Sequence, residues 1–309
     1  MPPRKQNARH HYVPQFYLRQ WSRDGEHIWA YPKTARNPIG TTIANVACES
    51  GLYSTPTVQP GESFSAEEED LSRIESIHAK VWPEIFDRAA NSETRRNLAI
   101  FLALLFLRHP TRKSDIGRIR DEIREAVSHL SPETQIEVSV KERTGEFSVG
   151  EILRHTDGNQ NAISSAFIDC MHSGLDMVAN ALFERPWGVL CSERPMFLTS
   201  DSPITLWRGT ATKENLGLRI RGTEVTFPIS PTRLLVIADY WPHEFALYPV
   251  ESADDFNSGL VHGATRFLFA DSRSDDLQSS IARWRSVPKP CAAFYILKPQ
   301  PTIAKVSWP

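Results

Sequence analysis

The chain lacks most of the features that would name a chemistry outright. Its longest uninterrupted apolar run, Leu98 to Leu107, is ten residues in a chain of 309, and a bilayer-spanning helix needs about twenty, so no membrane span is expected. The four cysteines, Cys48, Cys170, Cys191 and Cys291, are scattered and form no C-x-x-C pair. That excludes a zinc knuckle or a thioredoxin-like centre and points to reduced, mostly buried thiols. Neither sign of charge dominates: 35 Lys and Arg against 37 Asp and Glu leave a formal net charge of −2. No global field draws polyanions, so any nucleic-acid or phosphate site must be local. There is no Walker loop, and Gly145 to Gly150 is not a G-x-G-x-x-G turn. Thr199-Ser200-Asp201 lacks the flanking glycines of a nucleophile elbow. No fixed-period repeat or long low-complexity linker occurs. The opening Met1 to His10 is charged without an apolar segment behind it, unlike a secretory signal, and a cytoplasmic protein is the expectation.

What is there supports a buried core, since 40% of the residues are hydrophobic and 10% aromatic. Pro14 suits the first turn of a short helix carrying Phe16, Tyr17 and Leu18 and ending near Trp21. His27 to Tyr31 alternates as a strand closed by Pro32, a second extended segment falls near Gly40 to Val46, and Thr55 to Glu62 reads as a loop. Ser65 to Glu68 fits a capping box ahead of Leu71, Ile74, Ile77, His78, Val81 and Ile85 at helical spacing, with a kink at Pro83. The helix over Glu93 to His109 is apolar nearly all round and belongs at the centre of a bundle, with Pro110 stopping it. Thr111 to Leu130 reads as an amphipathic surface helix with Ile116, Ile119, Ile123 and Val127 on its stripe and Arg118, Arg120 and Arg124 in a solvated face. A strand-like Ile136 to Val140, a turn at Gly145, a second capping box at Ser148 to Glu151 and a long helix over Asn161 to Phe183 complete this part.

The pattern changes at Pro186. Short β-branched and aromatic runs follow at Trp187–Leu190, Met196–Thr199, Ile204–Trp207, Leu218–Ile220, Val225–Ile229, Leu234–Ala238 and Phe267–Ala270, with helices at Ala253–His262 and Asp276–Trp284. The expected fold is a single α+β domain over 1–309, a helical bundle packed on a mostly antiparallel sheet. Its parts are 1–60 with the opening motif and short strands, 65–184 helical, and 186–309 sheet.

The densest polar segment is His10-His11-Tyr12-Val13-Pro14-Gln15-Phe16-Tyr17-Leu18-Arg19. This segment resembles the opening of a bacterial family catalogued only as a domain of unknown function. The likeness continues at Asn45-Val46-Ala47-Cys48-Glu49 with Tyr53, at Phe101 to Leu104 with Arg108, Pro110 and Arg112, and at Phe197-Leu198-Thr199-Ser200-Asp201-Ser202-Pro203-Ile204. It resumes at Phe227 to Pro231 and at Asn257 with Ala264, Arg266 and Phe267, so it spans almost the full length. It implies an architecture and a map of site residues, and no established activity. His11-Tyr12-Val13-Pro14 also resembles the start of the histidine-metal nuclease hairpin, in which a histidine before a hydrophobic-proline pair activates water beside a metal-bound phosphate. The closely spaced third histidine of that hairpin has no counterpart: Asn45 is available, but the next histidine after His27 is His78.

Chemistry-bearing candidates follow. His11, with His10 in support, is a general base or metal ligand, because imidazole titrates near neutrality and binds divalent metals when neutral. Adjacent residues of an extended chain face opposite ways, so one imidazole reaches a given pocket; the bland alternative is that both pack and cap the turn. Glu49 and Asp201 are carboxylates able to bind a cation or orient a histidine, and Asp201 could equally close an Asx turn before Pro203. Arg108 ends a buried helix and needs a carboxylate such as Glu49 or Asp201, a carbonyl or a ligand anion. Tyr12, Gln15, Tyr17, Arg19 and Asn257 join Arg108 as substrate contacts. The leading expectation is a metal-dependent hydrolase of nuclease or phosphodiesterase type, with a divalent ion on His11, Glu49 and Asp201 and a nucleic acid or phosphate-containing small molecule as partner. The alternative is a non-enzymatic ligand- or partner-binding module of a bacterial defence or toxin system, its pocket lined by Tyr12, Tyr17, Trp21 and Arg19. A third reading makes the opening motif architectural, its aromatics threaded between bundle and sheet.

Overall fold

A computed structural model of the chain describes residues 9–34, 37–53, 71–80, 82, 92–140, 143–156, 160–207, 217–241 and 246–286. The Thr55–Glu62 loop, the Ser65–Glu68 cap, Val81, Pro83, Ile85 and Cys291 lie outside these residues. The described chain is α+β. It opens with strand β1 (Arg9–His11), helix α1 (Gln15–Leu18) continued by a 3₁₀ turn (Arg19–Trp21), and strands β2 (His27–Pro32), β3 (Ile39–Thr42) and β4 (Cys48–Ser50). Helix α2 covers 71–80. Then come α3 (Ser92–Leu107), α4 (Pro110–Val127), the hairpin β5 (Gln135–Val140) and β6 (Arg143–Ser148), α5 (Val149–His155) and α6 (Gln160–Phe183). The remainder is β7 (Trp187–Cys191), β8 (Thr199–Ser200), β9 (Thr205–Trp207), β10 (Glu224–Ser230), β11 (Arg233–Ile237), β12 (Ala246–Pro249), α7 (Asp254–Gly263), β13 (Phe267–Ala270) and α8 (Asp275–Ser286).

Helix α3 is central because it has no polar face to leave in water: Leu98, Phe101, Leu102, Leu104 and Leu105 are all buried, and it packs along α6. Ser148 and Glu151 form the capping box that starts α5. Pro110 does not only stop α3. It is the first residue of α4, whose amino end is capped by the His109 side chain accepting from the Thr111 N–H. That is the position where a missing N–H costs nothing. The α4 stripe divides: Val127 is buried and Ile116 half-buried, while Ile119 and Ile123 face solvent and Arg120 is buried. Ile77 of α2 also points outward, with Leu71 and His78 on the inward face.

The β residues form two main sheets. One has the order β12-β7-β11-β10-β9, antiparallel except for the β12–β7 pair, which is parallel. The other, β3-β2-β13-β8, draws two strands from the amino-terminal segment and two from the carboxyl half, so chain order and layer order do not coincide. Leu218–Ile220 is a turn rather than a strand, and Gly145 lies within β6 rather than in the turn before it. One core cluster takes Tyr17, Leu18 and Trp21 from the opening, Trp82 and Phe101 from the helices, and Phe227 and Phe269 from the sheets. Cys48 and Cys191 are half-buried and Cys170 is exposed, so the thiols are less buried than composition suggested.

Close packing sets two tests of this fold. Gly259 of α7 lies against Trp207, and a Cβ added there would overlap the indole. Alanine in a helix interior ordinarily stabilises by about 1 kcal/mol over glycine, but here overpacking of about 2 kcal/mol or more reverses the sign. Gly259→Ala is expected to lower the urea midpoint, and a raised midpoint would refute the packing. Glu224, 5% exposed at the start of β10, has its carboxyl pushed up to about 8 by burial, against the opposing pull of the Tyr240 hydroxyl and Arg185. The folded value lies above the ordinary carboxylate value, so its contribution is full below about pH 4.5 and is lost as pH rises toward 8. Glu224→Gln is expected to flatten the stability profile between those limits and to exceed the wild type by about 2–4 kcal/mol at pH 8. Parallel profiles of the two proteins would contradict it.

Candidate functional site

Strand β1 pairs antiparallel with β4, setting His10 opposite Glu49 and His11 opposite Cys48. The hairpin-like junction depends on Ala47, whose φ of 47° is in the left-handed region that few non-glycine residues occupy. That conformation directs the Ala47 carbonyl at the Tyr12 N–H, 3.0 Å away. His10 is buried, its Nδ1 accepting from the Tyr53 N–H at 3.3 Å and its ring 5.3 Å from the Tyr53 ring. Glu49 faces solvent. His11 is half-buried between the carbonyls of Ile43 and Ala44, and its buried Nε2 meets no hydrogen-bond partner. Burial pulls the imidazole below its ordinary value, opposed by those carbonyls and by the charge of Glu75, while Arg9 adds to the fall.

Arg108 is 1% exposed at the end of α3. Its Nε donates to the Tyr12 carbonyl at 2.8 Å and its Nη1 to Glu75 at 2.6 Å, so its carboxylate partner is Glu75 and neither Glu49 nor Asp201. Nη2 is buried without a partner. The Tyr53 hydroxyl donates to the Arg108 carbonyl at 3.4 Å. His109 follows, its ring 5.2 Å from that of Tyr12 in an edge-on approach. Its Nε2 lies 3.0 Å from the Asp201 carbonyl and must donate, leaving Nδ1 to accept from the Thr111 N–H. Burial lowers this imidazole to about 4, and the arrangement fixes one neutral tautomer with no free lone pair for catalysis.

Asp201 is 1% exposed, and its two oxygens accept from the N–H groups of Thr265 at 2.8 Å, Arg266 at 2.7 Å and Phe267 at 3.1 Å. Burial pushes its carboxyl above the ordinary range while the three donors pull the other way. It closes a turn more than sixty residues away rather than its own, and the Ser200 hydroxyl instead accepts from the Ser202 N–H. The candidate metal set His11, Glu49 and Asp201 therefore does not assemble. Among the described residues no group of three His, Cys, Asp or Glu side chains is placed to hold a metal ion. The Asp201 oxygens are turned to main chain, and Glu49 sits on an exposed strand.

The candidate substrate contacts are also occupied internally. The Tyr17 hydroxyl donates to the Pro228 carbonyl at 2.8 Å and meets the Thr199 hydroxyl at 2.6 Å, and its ring stacks on Phe227 at 5.1 Å. Asn257 spends both ends of its amide on the segment ahead of β8, accepting from the Leu198 N–H at 3.1 Å and donating to the Met196 carbonyl at 2.8 Å. Gln15 is half-buried and Arg19 exposed. Tyr12 is buried, and burial pushes its phenol well above the usual tyrosine range.

Sequence reasoning overlooked Glu75 and His109. Glu75 had a legible signal: it lies four residues after Leu71 and three before His78, a carboxylate on the inward face of a helix, which needs a cationic partner. His109 was hidden by its role, because a histidine before proline reads equally well as a helix end.

Surface clefts supply the available volume. Trp21 of the opening segment, Phe197 ahead of β8, Pro231 of the β10–β11 turn, Asn257 of α7 and Trp284 of α8 line a cleft of about 730 Å³. The Trp21 N–H donates to the Phe197 carbonyl at 2.8 Å, tying one wall to the other. A second cleft of about 740 Å³ lies between Glu49 and Ser50 of β4 and the face of α4 that carries Lys113 and Gly117.

If Asp201 is a tie between loops, Asp201→Asn replaces one acceptor by a donor facing main-chain N–H groups. A loss of about 2–4 kcal/mol in chemical denaturation is expected, and an unchanged midpoint would remove its structural role.

Comparison with known proteins places this geometry in a family without supplying a chemistry. No curated protein and no solved structure matches the chain. The model of the family described as protein of unknown function (DUF4238) matches residues 9–274, from β1 through the turn before α8. The chain belongs to that family.

Proposed function

We propose that the chain is a non-enzymatic binding module for a small ligand, seated in the cleft lined by Trp21, Phe197, Asn257 and Trp284. The reading is carried by one observation. The catalytic candidate Asp201 and the candidate substrate contacts Asn257 and Tyr17 have their polar groups held by hydrogen bonds within the fold. Groups so engaged are oriented by the fold and have most of their hydrogen-bonding capacity committed to it. The Asn257 bonds to Met196 and Leu198 fix one wall of a concave site of ordinary small-molecule size.

One observation favours the hydrolase reading in its place. His11 keeps a buried ring nitrogen without a partner, within the electrostatic reach of Glu75, and such a pair can serve as base and orienting carboxylate. Wild type and His11→Ala, matched by circular dichroism, separate the two on bis(p-nitrophenyl) phosphate and single-stranded DNA with Mg²⁺ or Mn²⁺. The binding reading expects equal background rates from both proteins and a melting temperature raised by cleft ligands. Saturable turnover lost in His11→Ala would replace it with the hydrolase.

A further inference from the structure

We propose that Cys48 is a thiol oxidised by hydrogen peroxide or a small organic hydroperoxide, with Arg9 and His11 as the two groups that assist the step. The inference stands apart from the cleft and the binding reading, since none of the three residues lines that space.

Strand register brings the three together. His11 is paired directly with Cys48 across β1 and β4, and Arg9 lies two residues before His11 on the same strand. Opposed residues of an antiparallel pair share a face, as do residues two apart on one strand. Tyr12, the next residue, donates its N–H to the Ala47 carbonyl. The His11–Cys48 pair is therefore of the non-hydrogen-bonded kind, in which side chains stand closest.

The contacts agree with that placement. Arg9 Nη2 lies 3.1 Å from the Cys48 sulfur. The guanidinium is itself positioned, because its Nη1 donates to the Asn45 side chain at 2.9 Å and its Nη2 to the Asn45 carbonyl at 3.4 Å, while the Asn45 amide donates to the Thr42 hydroxyl at 2.9 Å. The Cys48 sulfur lies 3.9 Å from the Ala44 carbonyl, one of the two carbonyls that flank the His11 ring. Thiol and imidazole converge on one main-chain oxygen.

Attack of sulfur on a peroxide requires that the thiol lose its proton and that charge be met on the departing oxygen. Burial holds the His11 imidazole below its ordinary value, so it is uncharged at neutral pH and keeps one ring nitrogen as an acceptor. The Arg9 guanidinium supplies the positive charge. The Cys48 sulfur bonds to one peroxide oxygen as the O–O bond breaks, and the thiol proton passes by way of His11 to the other oxygen, which leaves as water or an alcohol. Sulfur is oxidised to the sulfenic acid and the peroxide is reduced.

The chain carries its own control. Cys170 is exposed and Cys48 half-buried, so exposure alone predicts that Cys170 reacts first. The test treats the full chain with hydrogen peroxide in the presence of dimedone, which traps sulfenic acids, and follows each cysteine by peptide mass spectrometry. Cys48 is expected to label about tenfold or more faster than Cys170, and Arg9→Gln and His11→Asn each to slow Cys48 about 3- to 10-fold with the Cys170 rate unchanged. Loosening of the fold would speed a half-buried thiol, so slowing has no such explanation. Arg9 is exposed, and its variant decides the matter should His11→Asn fail to fold. A Cys48 rate no higher than that of Cys170, or one unchanged in Arg9→Gln, overturns the proposal.

Discussion

A carboxylate cannot be withdrawn from water unless its charge is met, and Asp201 meets that condition with three successive main-chain N–H groups from residues 265–267. This one constraint locks the end of β8 to the start of β13, and the sheet β3-β2-β13-β8 is built outward from that join. The Asp201 carbonyl then receives the His109 ring, which caps α4, so the same residue fastens the helices to the sheet. The polar residues of the junction act in series, each supplying what its neighbour would otherwise lack.

The opening segment is the second half of that arrangement. Tyr17 reaches across the core to Thr199 and Pro228, Trp21 to Phe197, and Tyr12 gives its carbonyl to Arg108. Tyrosine and tryptophan are suited to such work because each buries a large apolar body and still needs one hydrogen bond at its tip. A density of polar tips on apolar bodies is the signature of a ligand site and equally of a buried tie between layers. Here it marks a tie, and one tied pair, Trp21 and Phe197, also lines the cleft of about 730 Å³.

The exceptions to complete pairing are informative for the same reason. The His11 Nε2, the Arg108 Nη2 and the Trp284 N–H are among the buried polar atoms of the described residues that meet no hydrogen-bond partner, as is the Tyr248 hydroxyl. His11 and Arg108 gather around Glu75, whereas Trp284 stands alone at the cleft. The Ala47 backbone, held at positive φ in the turn that serves Tyr12, is a local strain borne to make a long-range bond.

Local pattern determined a good deal of this protein. The apolar girdle of α3, the capping box at Ser148 and Glu151, the long repeat of α6 and the β-branched runs of β7, β10, β11 and β13 each follow from periods of 3.6 or 2 that are written in neighbouring residues. Strands β1 and β4 carried no such mark, because three residues make no period and their pairing is settled by a partner nearly forty positions away. The inward turn of Arg120, the outward turn of Ile119 and Ile123, and the choice of Glu75 over Glu49 for Arg108 were likewise decided only when the helices packed. Side-chain type fixes which groups need a hydrogen bond or a counter-charge. Only the tertiary arrangement fixes which group supplies it, because donor and acceptor meet across distances along the chain that no local window spans.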